Sequence, residues 1–340
     1  MNLIKVKIIF IFKGNLIYQM ITALKRFSLF KICLERILLL SIFLTFFSCS
    51  SSKSSNDEQD SNVLIVDNDI DWSEFIEYSK GNIPVILISV HGGTLSPEWI
   101  SDRSCSGAVT VKDDNTLELA KETEEALSLI EASPYVVLNK ISRKKIDLNR
   151  SLEDSNCGDK TTEEYWDLFH KKVSEYKEEI ERLFGKGLIL DLHGHGHSIQ
   201  RIELGYLLSK SNLSENDESL NSDDITSLSS IKNLAANNRS GINHSELLRG
   251  EKSFGTLLDN KGYPAVPSKI DTHPNSGELY FTGGYNTFTY GSRTQGNIDA
   301  IQLEINKKGV REDLNQVEDF ASALSNVIIE YLSEHYGDYN

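Results

Sequence analysis

Four short runs place chemically capable residues beside neighbours that would aim them. His91 is followed by Gly92, Gly93 and Thr94. His193, His195 and His197 alternate with glycine in D-L-H-G-H-G-H, which begins at Asp191. Glu304 interrupts an apolar stretch, I-Q-L-E-I-N. Asp147, Asn149 and Arg150 close the run R-K-K-I-D-L-N-R. Two neutral imidazoles and a carboxylate form a frequent catalytic Zn2+ site with one position open to water. The metal lowers that water's pKa toward about 7. A carboxylate off the metal can take the water's proton and pass it to a leaving amine. An arginine offers a planar fork that matches a substrate carboxylate. Each signal has a bland counterpart: His91 as a turn residue, H-G-H-G-H as a low-complexity metal-binding tract, Arg150 as a structural ion-pair partner. Against the tract, H-G-H-G-H follows an apolar run directly. Residues two apart on an extended chain share a face, so His193 and His195 can both reach one metal. A glutamate inside an apolar strand is costly to bury unless it is paired or functional.

The elements that must position these residues follow from the hydrophobic pattern. Residues 84–90 (PVILISV), 135–141 (YVVLNKI), 187–192 (GLILDL) and 299–305 (DAIQLEI) read as buried strands. Residues 115–131 have helical spacing, with Leu117, Ala120, Leu127 and Ile130 on one side. A long charged helix covers 162–184 and an amphipathic one 313–336. Strands alternating with helices predict an α/β fold, a three-layer sandwich around a mixed, mostly parallel sheet. His91, His193, Glu304 and the 147–150 run then fall at or beyond carboxyl ends of strands, where such sheets place their sites. Residues 209–242, rich in Ser, Asn and Asp, read as a polar surface insertion containing part of a lid.

Composition bounds the rest. The 340 residues carry 35 Lys+Arg against 50 Asp+Glu, a net charge of −15, with 39% hydrophobic residues, ordinary for a globular protein. Residues 1–49 hold seven of the basic residues and one acidic one, so the remainder has 28 against 49, a net of −21. An acidic body repels phosphate backbones, which excludes nucleic acid as a general partner. Residues 37–47 are an apolar run preceded by Lys25, Arg26, Lys31 and Arg36 and followed by Ser48-Cys49 and a polar tract. That order is a secretory signal, and it resembles a bacterial lipoprotein signal in which Cys49 becomes the lipidated first residue. Met20 is an alternative start. The expected organisation is a signal segment 1–49, a flexible tether 50–62 and a single domain 63–340, exported to the cell envelope and lipid-anchored to the membrane. Cys105 and Cys157 remain in the exported body, where pairing and two lone buried thiols are both open.

In chain order, S-V-H-G-G-T, D-D-N-T-L-E-L-A, K-I-D-L-N-R, L-D-L-H-G-H-G, Y-F-T-G-G-Y and I-Q-L-E-I-N resemble the motifs of the N-formylglutamate amidohydrolase family. That family is related in fold to zinc carboxypeptidases and aspartoacylase-like deacylases. The resemblance spans roughly residues 84–306 and implies one Zn2+ per chain and hydrolysis of an amide bond. It makes His91 the first metal ligand, His193 the later one with His195 as fallback, and Asp113 the acidic ligand with Asp114 and Glu98 as alternatives. It makes Glu304 the general base, Asn149 and Arg150 the holders of a substrate carboxylate, and Arg143 the group polarising the scissile carbonyl. Tyr285 and Tyr290 become candidates for closing over the substrate. Members of that family tend to carry an arginine shortly after G-G-Y, where this chain has Phe288.

The leading expectation is a zinc amidohydrolase at the cell envelope, acting on an N-acyl amino acid or short peptide that bears a carboxylate. A cell-wall peptide carboxypeptidase or amidase and a non-catalytic binding lipoprotein on a hydrolase scaffold are the alternatives. The absence of any G-x-S-x-G counts strongly against a serine hydrolase.

Overall fold

The computed structural model describes residues 70–337. The signal segment, Met20, Cys49 and the tether lie outside the described residues. Seven strands form the sheet: β1 Ile76–Ser79, β2 Val85–Ser89, β3 Tyr135–Asn139, β4 Gly187–His195, β5 Ile202–Gly205, β6 Ala265–Val266 and β7 Ile298–Asn306. Their order is β1-β3-β2-β4-β7-β5-β6. The centre, β3-β2-β4-β7, is parallel; β1 joins β3 and β5 joins β7 antiparallel. This is the mixed, mostly parallel sheet the pattern predicts.

Side-chain alternation sorts the sheet into two cores. Val85, Leu87, Leu188, Leu190, Leu192, Ile301, Leu303 and Ile305 enter one. There α1 (Thr116–Ser128) contributes Leu117, Leu119, Ala120 and Leu127. The C-terminal helix Leu314–His335 adds Val317, Phe320, Leu324, Val327, Ile328 and Tyr331. Its N-cap Asp313 accepts hydrogen bonds from the amides of Asn315 and Gln316. Ile86, Ile88, Ile189, Ile298 and Ala300 face the other core, with Tyr165, Phe169, Val173, Tyr176 and Ile180 of helix Glu163–Phe184. That helix ends where Gly185 takes the left-handed conformation (φ 77°). Helix α1 stops at Ser128, so Ile130, expected on its apolar side, is exposed.

The 209–242 segment is not a lid. It folds into four short helices, Lys210–Leu213, Asp217–Leu220, Asp223–Thr226 and Lys232–Asn237. Leu213, Leu220, Ile225, Ile231 and Leu234 pack into the first core, the one away from the site-bearing side chains. Its polar residues serve as caps: the Ser209 side chain accepts from the amide of Asn212, and Asn216 from that of Ser219.

Cys105 and Cys157 form a disulfide. It joins the loop leading to Asp113 with the turn that follows the short helix Leu152–Ser155. Chain-entropy arguments for a closure of 52 residues give about 4 kcal/mol of stabilisation. Cys105→Ser is therefore expected to lower the unfolding free energy by about 2–4 kcal/mol, read as a lower urea midpoint with a steeper slope from the less constrained unfolded chain. A midpoint equal to that of the wild type would show the clasp to be energetically idle.

Candidate metal centre

The carboxyl ends of β2, β4 and β7 each carry one polar group of the centre. In β4, Ile189, Asp191, His193 and His195 alternate onto one face; in β7, Ile298, Ala300, Gln302, Glu304 and Asn306 do. The face that is apolar at the amino ends is therefore chemical at the carboxyl ends. His193 and Glu304 are register partners on adjacent strands. His91 follows β2, and the chain then turns at Gly92, where a Cβ would stand 2.4 Å from the amide nitrogen of Leu117. The loop returns so that the Asp113 amide donates to the His91 carbonyl (3.1 Å). Asn115, left-handed at φ 61°, donates its side-chain amide to the Arg311 carbonyl (2.8 Å). The Thr116 hydroxyl donates to the Asp113 carbonyl (2.9 Å), locking Asp113 one turn ahead of α1.

Three atoms converge. His91 Nδ1 and His193 Nδ1 are 3.0 Å apart, and Asp113 Oδ2 is 3.4 Å from each. All three side chains are buried. The far nitrogen of each imidazole meets a fully buried carboxylate: His91 Nε2 lies 2.6 Å from Asp147 Oδ1, and His193 Nε2 lies 3.1 Å from Asp191 Oδ2. A carboxylate there keeps the proton on Nε2 and leaves a lone pair on Nδ1. His91 Nδ1, His193 Nδ1 and Asp113 Oδ2 thus face one point, an arrangement that favours positive charge there, a proton or a metal ion. A tetrahedral ion with bonds of about 2.1 Å has ligand edges of about 3.4 Å, close to the three separations here. Two imidazoles and a carboxylate suit a divalent ion such as zinc, and His91, Asp113 and His193 would hold it.

The electrostatics agree. Burial pushes the Asp113 carboxyl up, but hydrogen bonds and charge from His193 and His91 outweigh it and hold it far below the usual range. Burial opposes ionisation of Asp147 too, and His91, Arg143 and Arg103 together overcome it. Burial works against charge on His193, yet Asp191, Asp113 and Glu304 raise its proton affinity well above normal. The cluster attracts positive charge, and binding a divalent ion would release the proton. Burial pushes Glu304 up to about 6, against His193 and with Asp113. Gln302 Nε2 donates to Glu304 Oε1 (2.7 Å) and fixes its orientation.

The other expected residues divide. Asp114 pairs with Lys307 and Lys112 at the surface and Glu98 is exposed, so neither joins the cluster. His195 lies on the same strand face as His193, but its Nε2 meets the Arg201 carbonyl (2.8 Å) instead. Arg143 reaches the centre with its guanidinium across Asp147 Oδ2 (3.1 Å) and Asp113 Oδ1 (3.5 Å), where it steadies both carboxylates. Asn149 is buried: its Oδ1 accepts from the Asn286 amide (2.9 Å) and its Nδ2 lies 3.5 Å from Gln302 Oε1, so it holds the Gly284–Asn286 turn. Arg150 is exposed, its Nη1 donating to the Asn149 carbonyl (3.2 Å). Tyr285 is half-buried beside Trp166 and His170. Tyr290 is corrected: it is buried, with its hydroxyl 2.6 Å from His170 Nδ1, and cannot close over a substrate.

Asp147, Asp191 and Gln302 carry parts of this centre that motif reading left without a role. The signal was available: each lies two residues from a chosen residue, and Asp191 sits in an apolar strand as Glu304 does.

No family model matches the chain, and no curated protein matches it. Among solved structures it is similar to an N-formylglutamate amidohydrolase from Ralstonia eutropha JMP134, at 13% identity and a TM-score of 0.47, over 76% of this chain and 98% of that one. A gene product from Agrobacterium tumefaciens is similar at 14% identity and a TM-score of 0.43, over 76% and 94%. An N-acetylmuramyl-L-alanine amidase from Mycobacterium smegmatis is similar at 11% identity and a TM-score of 0.34, over 73% and 96%. Likeness at this level leaves the chemistry to be read from the site.

Proposed function

We propose that this chain is a metal-dependent amidohydrolase of the N-formylglutamate amidohydrolase type, cleaving an amide bond of an N-acyl amino acid or short peptide that bears a carboxylate. The observation that carries the reading is the convergence of His91 Nδ1, His193 Nδ1 and Asp113 Oδ2, each imidazole backed by a buried carboxylate, with Glu304 on the neighbouring strand. A zinc ion bound there supplies Lewis acidity and a water of lowered pKa. Glu304 accepts the water's proton and returns it to the departing nitrogen. Arg143 and Arg103 hold Asp147, and Asp147 holds His91. Arg150, at the exposed lip, turns its fork to the substrate carboxylate, with Tyr285 and Trp166 as an aromatic flank. With Phe288 where the resembling family tends to have arginine, a single carboxylate is the expected recognition element. The N-terminal pattern supports export and a lipid anchor at Cys49. The retention of His91, Asp113, His193 and Glu304 supports hydrolysis over a purely binding role on a degenerate scaffold.

Elemental analysis of the purified protein tests this reading, beside an assay over N-acyl amino acids and short peptides. About one zinc per chain with hydrolysis of such an amide supports it. A protein that takes up no metal when zinc is supplied sinks it.

Two further outcomes follow. Glu304 works as the carboxylate, and its pKa of about 6 is set mainly by burial; a bound cation pulls it lower. The acid limb of kcat/KM should therefore fall at or below pH 6, with activity lost as pH drops through it. A limb centred above pH 7 would point to a different base. Arg150→Ala should raise KM for carboxylate-bearing substrates about tenfold, the scale of one charged hydrogen-bonding contact, and leave KM for the matching amides unchanged. Equal effects on both would remove Arg150 from the carboxylate.

A further inference from the structure

Beyond the metal ligands and Glu304, the third histidine of H-G-H-G-H is placed for chemistry. Strand β5 lies on the far side of β7 from β4, so the 196–201 turn must cross the carboxyl end of β7. His197 rides on that crossing. Its Nδ1 is 2.9 Å from Glu203 Oε1, and the Phe281 amide donates to Glu203 Oε2 (2.9 Å). Glu203 is 1% exposed and directly opposite Glu304 in the antiparallel β5–β7 pair, so both side chains share a face, with Cβ atoms about 5 Å apart. The His197 ring stacks on Phe281, 4.7 Å between centroids at 10°, and its side chain keeps 15% exposure. Its Nε2 has no protein partner among the described residues. A second metal is not the explanation, although His195, His197 and Glu203 cluster. His195 already receives the His197 amide at Nδ1 (3.0 Å) and meets the Arg201 carbonyl at Nε2, which leaves two ligands.

We propose that His197, oriented by Glu203, is a second proton-transfer group of the hydrolytic site; this rests on the amidohydrolase reading. Hydrolysis of an amide to carboxylate and ammonium moves two protons from the attacking water to nitrogen. The C–O bond forms as Glu304 takes the first, and the C–N bond breaks as Glu304 returns it. The second proton stays on the attacking oxygen of the tetrahedral adduct until that adduct collapses with C–N cleavage. His197 Nε2 accepts it, Glu203 holding the Nδ1 proton and stabilising the imidazolium, and passes it to the freed amine. His197 ends neutral, as it began. The charged and titratable groups around it are Glu203, His195, Arg201 and, across β7, Glu304.

The test uses the full-length, metal-loaded protein with labelled histidine. Nuclear magnetic resonance should find His197 as the Nδ1–H tautomer, and Glu203→Gln should abolish that preference. His197→Ala should keep its metal and its KM and lose kcat by about 10²-fold or more, with imidazole in solution restoring part of the rate. An unchanged kcat overturns the proposal. So does a loss that imidazole does not rescue and that tracks a lowered Tm, the mark of a structural role. An Nε2–H tautomer in an active enzyme overturns the relay alone. A wild-type protein with the Nδ1–H tautomer and no amide hydrolysis fails at the hydrolase reading, and the relay falls with it.

Discussion

Glu304→Gln is expected to lower kcat by about 10²–10⁴-fold, the usual contribution of a positioned proton acceptor, while metal content stays at the wild-type value. The substitution keeps shape and the contact with Gln302, and Glu304 is not among the three converging atoms. It removes only the group that can hold the water's proton. Glutamine at this buried position also eases the burial that pushes the carboxyl up, so the variant should unfold no more easily than the wild type at pH 7. Stopped-time assays with elemental analysis on the same samples check both parts. Full activity with bound metal would show that another group is the base.

His193→Ala is expected to abolish metal binding and activity together. It deletes one of the three converging side chains, leaves buried Asp191 without the imidazole it faces and leaves Asp113 with one of its two. Thermal unfolding with and without added zinc reads this directly. A ligand that binds only the folded state stabilises by about 4 kcal/mol at a thousandfold excess over Kd, so the wild-type Tm should climb with zinc and the variant's should not move. Asp147→Asn is the graded companion: it keeps all three ligands and weakens the backing of His91, so affinity should drop by about 10–100-fold. A His193→Ala protein that still gained stability from zinc would shift the ligand to another histidine.

Much of the centre is legible in the chain because its signals are local. Glu304 stands out from the cost of burying a carboxylate in I-Q-L-E-I-N, and His91 and His193 from their places directly after apolar runs. Asp113 does not stand out from Asp114 and Glu98, since all three lie in an aperiodic loop. The pairing of the Asp113 amide with the His91 carbonyl selects it. His193 and His195 are equivalent by parity, and the His197 amide and Arg201 carbonyl that occupy the two ring nitrogens of His195 separate them. The 209–242 segment misleads for a related reason. Helices of one turn need a cap for every few residues, so a segment can be rich in Ser and Asn and still bury Leu213, Leu220 and Leu234.

By itself, then, the sequence determined the alternation that builds the sheet, the periods of its covering helices and the residue types able to do chemistry. Those depend on neighbours two to four positions apart, where sterics and side-chain direction leave few options. The tertiary structure decided which of those residues meet. The converging side chains at positions 91, 113 and 193 become neighbours only because β2 and β4 pair in parallel and the loop after β2 folds back on His91. Glu203, which holds His197, stands opposite Glu304 only because β5 lies on the far side of β7. Strand order and loop return are set by the packing of whole layers, a free energy summed over the two cores, and no short window of sequence contains it.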